Sequence, residues 1–144
     1  MASTHVAHDC LVGDNVIMSN LATLGGHVKI GDYAIIGGGV LVHQFTRIGE
    51  HSLIGGGFRA VQDVPPFIIA ANHPLEYKGV NIVGLKRRGF LKKDMDLIKI
   101  AYREFFRSGG NRKTAIEKIE SEFSKTKVIQ KILDFIKHSN RGII

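Results

Sequence analysis

The sequence predicts a mainly β protein: a left-handed parallel β-helix of hexapeptide repeats with a C-terminal α-helical domain. Three observations carry this. An aliphatic residue recurs every six positions, at Val6, Val12, Met18, Leu24, Ile30, Ile36, Val42, Ile48 and Ile54. The next position is mostly glycine, and the position four after the aliphatic one is mostly small or β-branched, as at Cys10, Val16, Ala22, Val28, Val40 and Thr46. Past Gly89 the apolar spacing changes to that of an amphipathic helix.

A six-residue period is too long for a helical turn and too regular for a meander. It marks a hexapeptide β-helix, in which each unit forms one short side of a triangular coil. The aliphatic residue points inward and stacks on its counterpart one coil away. Glycines and polar residues such as Asp14, Asn15, Asn20 and Asp32 are expected to turn the corners. The repeat occupies residues 1–66 and is expected to end at Asp63-Val64-Pro65-Pro66, because a double proline cannot continue strand pairing. Residues 67–90 read as an irregular connecting segment and residues 91–144 as the helical domain. Leu91, Met95, Leu97, Ile98, Ala101, Tyr102 and Phe105 form one apolar stripe, and Ser108-Gly109-Gly110-Asn111 ends it. Ala115, Ile116, Ile119 and Phe123 form a second, and Val128, Ile129, Ile132, Leu133 and Ile136 a third.

The chain has 144 residues and a formal charge of +7, with the basic excess mostly after Lys78. That balance favours an anionic partner. Nucleic acid is not expected, because no basic patch interleaved with aromatics appears. Cys10 is the one cysteine, so neither a disulfide framework nor a four-cysteine metal site forms within one chain. No apolar run approaches the roughly 20 residues that span a bilayer, and Met1-Ala2-Ser3-Thr4-His5 does not resemble a secretion signal. A cytoplasmic protein without stable membrane insertion is expected.

Four segments go further: His5-Val6-Ala7-His8-Asp9-Cys10, Gly26-His27-Val28, Val42-His43-Gln44-Phe45, and Gly79-Val80-Asn81 leading into Gly84-Leu85-Lys86-Arg87-Arg88-Gly89-Phe90. In this order they resemble the UDP-N-acetylglucosamine O-acyltransferases of lipid A biosynthesis, over nearly the whole chain but only over the C-terminal half of those longer proteins. The resemblance implies transfer of a (3R)-hydroxyacyl group from acyl carrier protein to the 3-hydroxyl of UDP-N-acetylglucosamine by a homotrimer. It implies no resident cofactor and no metal; phosphopantetheine arrives on the carrier protein as part of the donor substrate.

A sugar hydroxyl attacks a thioester only as a base takes its proton, and a histidine suits that task. The resemblance assigns the base to His8 and the oxyanion-stabilising backbone N–H to Gly26, one coil further along the same column. It assigns substrate contacts to His5, His27, His43, Gln44, Asn81, Arg87 and Arg88. Gly56 matches the position that sets acyl length, and glycine there implies a longer chain. Val83 stands where better-known members carry an acidic residue that binds the ribose. The family's aspartate that orients the base lies one coil before His8, a coil that does not precede His8 in this chain. Two other enzyme readings remain: a related N-acyltransferase using a 3-amino sugar nucleotide, and a zinc enzyme of the prism carbonic anhydrase type, whose ligand spacing His5, His8 and His27 do not reproduce. The third alternative is a non-catalytic trimeric or carrier-protein-binding fragment.

Overall fold

The computed structural model describes residues 1–123 and 125–144. The chain divides into two units, one of residues Met1–Asn81 with Ser139–Ile144 and one of residues Ile82–His138.

The first unit is a parallel β-helix. Ten two-residue strands run from β1 (His5–Val6) to β10 (Arg59–Ala60), one per hexapeptide: β2 (Leu11–Val12), β3 (Ile17–Met18), β4 (Thr23–Leu24), β5 (Lys29–Ile30), β6 (Ile35–Ile36), β7 (Leu41–Val42), β8 (Arg47–Ile48) and β9 (Leu53–Ile54). They fall into three parallel sheets, with β1-β4-β7-β10 on one face, β2-β5-β8 on the second, and β3-β6-β9 on the third. Paired residues are one coil apart, as in His5↔Thr23 and Val6↔Leu24. The second residue of each strand points inward, and Leu24, Ile36, Ile48 and Ile54 are at most 1% exposed. Val6 and Val12, the inner residues of the first coil, are 48% and 43% exposed.

The corners match the polar part of the sequence reading, since Asp14, Asn15, Asn20 and Asp32 all lie in turns, and differ from it in the glycine column, which does not. The left-handed residue is the one three after each inner aliphatic residue: Asp9, Asn15, Leu21, His27, Tyr33, Phe45 and His51 have φ between 55° and 67°. Each non-glycine residue held there costs about 1–2 kcal/mol, which the repeating backbone bonds offset. His27 N donates to His8 O at 3.0 Å, Phe45 N to Gly26 O at 3.0 Å, and His51 N to Asp32 O at 2.9 Å. The glycine column sits elsewhere and serves close packing. A Cβ on Gly25 would lie 2.7 Å from Gln44 N, and one on Gly31 2.5 Å from Glu50 N.

The double proline does not end the prism. Val64 bridges Ile48 in parallel, and β11 (Ile68–Ala71) pairs in parallel with β9 through Ile69↔Leu53 and Ala70↔Ile54. The offset there is two residues shorter than in the coils below and is already so at Ile48↔Val64, so the coil shortens between Ala60 and Val64 and Pro65-Pro66 follows where no ladder donor is needed. Gly49 makes room for it, since a Cβ there would lie 2.3 Å from Pro66 N. β11 then pairs antiparallel with β12 (Glu76–Val80), so much of the segment read as irregular is a hairpin closing the third sheet. Residues 139–144 return to the same unit. Asp63, 1% exposed, accepts from Arg47 N at 2.8 Å and from Ser139 Oγ at 2.6 Å, while its own N–H donates to Gly142 O at 2.8 Å.

The second unit contains α1 (Ile82–Arg87), α2 (Lys92–Phe106), α3 (Arg112–Phe123) and α4 (Lys127–Lys137). Met95, Ile98, Tyr102 and Phe105 of α2 are buried with Ile119 of α3 and Ile129, Ile132 and Leu133 of α4, which accounts for the three stripes. Leu91 instead caps α2 and is 56% exposed. Gly109 and Gly110 have φ of 63° and 92°, and Asn111 Oδ1 accepts from Thr114 N at 3.3 Å, so this turn ends α2 and starts α3.

Candidate active site

The corner between the first and second sheets gathers most of the candidate residues. His8, Gly26 and Gln44 stack there on successive coils, each followed by the left-handed residue of its corner, Asp9, His27 and Phe45. The His8 side chain is 74% exposed. Its Nδ1–H donates to Asp9 Oδ2 at 2.9 Å, which selects the tautomer with a free Nε2 lone pair. That nitrogen lies over Gly26: an ideal Cβ on Gly26 would be 2.8 Å from both Nε2 and Cε1 of His8. Glycine is therefore the residue that lets the ring occupy this place. The Gly26 carbonyl accepts from Phe45 N in the coil ladder, and its N–H has no protein acceptor among the described residues. The imidazole of His8 and the backbone N–H of Gly26 thus share one corner.

Asp9 is the residue the sequence reading missed. The aspartate implied by the resemblance lies a coil before His8; among the described residues the carboxylate bonded to His8 is its chain neighbour, Asp9. Its signal was available as His8-Asp9, read against the correct corner phase. The hydrogen bond from His8, reinforced by the field of His27, holds the Asp9 carboxyl below its ordinary range. His27 Nε2 lies 3.7 Å from the same oxygen, Asp9 Oδ2. The His27 ring meets His8 edge-on, with centroids 5.1 Å apart, and stacks on Phe45 at 4.7 Å and 6°. Phe45 is a second residue missed; it is 54% exposed and restrains His27. Cys10 donates its thiol to Gly25 O at 3.1 Å, tying the corner to the next coil.

The other expected residues separate. His5 is exposed on β1, with Thr23 opposite it one coil on. His43 is half-buried, and its Nδ1–H donates to Gln44 O at 3.0 Å while the Gln44 side chain stays exposed. Gly56 is at a different corner, where a Cβ would lie 3.3 Å from Gly38 O. Asn81 is 6% exposed, and its Nδ2 donates to His51 O at 2.9 Å, so within the chain it serves packing. Arg87 at the end of α1 and Arg88 after it are exposed in the helical unit.

The fold and corner define a hexapeptide-repeat protein with a carboxylate-oriented histidine set over a free backbone amide. The family described as UDP N-acetylglucosamine O-acyltransferase, domain 2, matches residues 63–144, and the chain belongs to it. Among curated relatives, the acyl-[acyl-carrier-protein]–UDP-N-acetylglucosamine O-acyltransferase of Aliivibrio salmonicida is 49% identical over 99% of this chain and 54% of its own length. That of Thiobacillus denitrificans is 42% identical over 100% and 56%. The UDP-N-acetylglucosamine acyltransferase structure from Bacteroides fragilis superposes with a TM-score of 0.95 at 45% identity, covering 99% of this chain and 56% of that one. The Arabidopsis enzyme gives 0.91 at 34%, covering 98% and 52%. The chain spans about half the length of these relatives.

Proposed function

We propose that this chain carries the catalytic corner for transferring a (3R)-hydroxyacyl group from acyl carrier protein to the 3-hydroxyl of UDP-N-acetylglucosamine, the first step of lipid A synthesis, in the cytoplasm. The observation that carries this is the His8–Asp9 pair at 2.9 Å with His8 Nε2 lying over Gly26. Nε2 takes the proton of the sugar hydroxyl as its oxygen attacks the thioester carbon. Asp9 holds the ring and stabilises the imidazolium that forms. The Gly26 N–H is the donor for the oxyanion. Collapse of the tetrahedral species expels the phosphopantetheine thiolate, which takes up the proton from His8. Removing such a base is expected to cost about 10²–10⁴ in rate.

Three further features support partners of this kind. Arg87, Arg88, Lys93, Lys99, Arg103 and Arg107 are exposed on the helical unit, a surface suited to an acidic carrier protein or a diphosphate. The outward residues of the third sheet, Ile17, Ile35, Leu53 and Ile69, form an aliphatic ladder that is at least partly exposed along its length, which suits a homotrimer packed face against face. No helix among the described residues is long and apolar enough to cross a membrane.

The test is a transfer assay with (3R)-hydroxyacyl carrier protein and UDP-N-acetylglucosamine, run beside the 3-amino sugar nucleotide. Ester product that disappears in His8→Ala supports the reading; amide product alone would turn it to the N-acyltransferase. The second reading is a trimeric, carrier-protein-binding module without turnover. Binding of carrier protein with no product from either acceptor would establish it.

A further inference from the structure

We propose that His8, Asp9 and His27 also form a three-ligand site for a zinc-class divalent cation, held in competition with the acid–base role of His8. The ligand atoms of these residues all lie within 4.8 Å of one another. A tetrahedral ion with bonds of about 2.0–2.1 Å sets its ligand atoms roughly 3.3 Å apart. The two measured edges bracket that value: His8 Nδ1 to Asp9 Oδ2 is 2.9 Å, and His27 Nε2 to Asp9 Oδ2 is 3.7 Å. Opening the first and closing the second takes a few tenths of an ångström each. The remaining edge, between the two imidazoles, closes by rotation of the His8 ring, whose side chain is 74% exposed.

The donor set selects the metal. Two imidazole nitrogens and one carboxylate oxygen suit zinc, copper or nickel, whereas calcium and magnesium require more oxygens than this corner offers. Part of the site is pre-organised. Asp9 and His27 have φ of 60° and are tied into the coil ladder, and the parallel stack on Phe45 at 4.7 Å restrains the His27 ring. His8 Nδ1 and Asp9 Oδ2 already point at each other with one proton between them, so the ion takes the place of that proton, which the neutral ring then carries on Nε2. The same replacement removes the Asp9 hydrogen bond from His8 and leaves Nε2 protonated, with no lone pair to take a proton from the sugar hydroxyl. Zinc and proton abstraction at His8 are therefore mutually exclusive. The zinc site stands apart from the acyl-transfer reading, since it needs only the folded corner; its competition with proton abstraction rests on that reading.

The experiment is calorimetric titration of the full chain, untagged and stripped with chelator, with zinc chloride. It is followed by titration with cobalt(II), read by its visible absorption. One saturable zinc per chain is expected, with a tetrahedral cobalt spectrum and no response to magnesium or calcium. His8→Ala, Asp9→Asn and His27→Asn are each expected to weaken zinc about tenfold or more, the order of effect known even for residues that merely support a ligand. Asn tolerates the left-handed corner, so the last two preserve the backbone; circular dichroism checks each fold, and any one variant that fails leaves two to decide. His43→Ala and His138→Ala are expected to bind as the parent does. Absence of a saturable zinc site in the parent, or affinity undiminished in the folded variants of His8, Asp9 and His27, would overturn the proposal.

Discussion

Two corners of the β-helix use one device to opposite ends. At the second corner, Tyr33, His51 and Phe67 occupy successive left-handed positions with φ of 59°, 55° and 71°. Their rings stack at 5.0 and 6.0 Å, and His51 and Phe67 are 8% and 0% exposed. At the first corner, Asp9, His27 and Phe45 occupy the same positions, but Phe45 is 54% exposed. One ladder is core. The other keeps two histidines and a carboxylate at the surface while the same backbone bonds fix their positions. Chemistry is possible where the repeat supplies rigidity without covering the side chains.

The sharpest way to break the comparison is a matched pair of truncations. Phe67→Ala and Phe45→Ala remove the same atoms from residues with φ of 71° and 65°, so any backbone cost is nearly common to both. Phe67→Ala is expected to destabilise by about 3–5 kcal/mol, the cost of emptying a buried aromatic site. Phe45→Ala is expected to stay within about 0.5 kcal/mol, as for exposed positions. Urea unfolding followed by far-UV circular dichroism measures both. Equal losses would show that the first corner is core after all.

The next effect is on chemistry. His8→Ala is expected to lower acyl transfer about 10²-fold or more without moving the urea midpoint, the reverse of the Phe67 variant. Gly26→Ala should resemble it, since its Cβ would lie 2.8 Å from the His8 ring and displace it. Asp9→Asn is expected to cost less than His8→Ala, because base and backbone donor remain. Steady-state rates across the three variants test the order. Acidity gives a related readout. The Asp9 carboxyl sits below its ordinary value, so its bond to His8 is fully present above about pH 4 and is lost as pH falls through the lowered value. Imidazole NMR signals of His8 should follow that loss in the parent and not in Asp9→Asn.

The inner ladder, the stacking of His8 on Gly26 and the three helical stripes were readable in the sequence because each depends on residue type at a fixed period. The corner phase was readable only in part: Asp14, Asn15, Asn20 and Asp32 do lie in turns, but the glycine column read with them does not. Asp9, Asn15, Leu21, His27, Tyr33 and Phe45 share one backbone conformation but no side-chain chemistry, so the glycine column drew attention to itself although its role is close approach. That error concealed Asp9, whose place beside His8 follows only once the left-handed position is known. Pro65-Pro66 misled for a related reason. Proline forbids a ladder donor, but a shortened coil places it where none is needed, and β11 continues the sheet. The resemblance gives Asn81 a substrate contact, and its bond to His51 O depends on the hairpin that the sequence reading left irregular.

The smallest effect tests whether the ladder interior at the first corner is as apolar as its place in the repeat suggests. Thr46 follows Phe45, shares an inner column with Cys10 and Val28, and is 0% exposed. Its Oγ1 has no hydrogen-bond partner among the described residues. A buried hydroxyl without a partner retains its desolvation cost with nothing to offset it. Valine has the same shape and no such cost. Thr46→Val is therefore expected to stabilise the β-helix by about 1 kcal/mol, seen as a higher urea midpoint with an unchanged slope. Transfer activity should be unaffected, because the inner column faces away from His8. A loss of stability would mean that the hydroxyl has a partner inside the prism, and this corner would then be polar on both its faces.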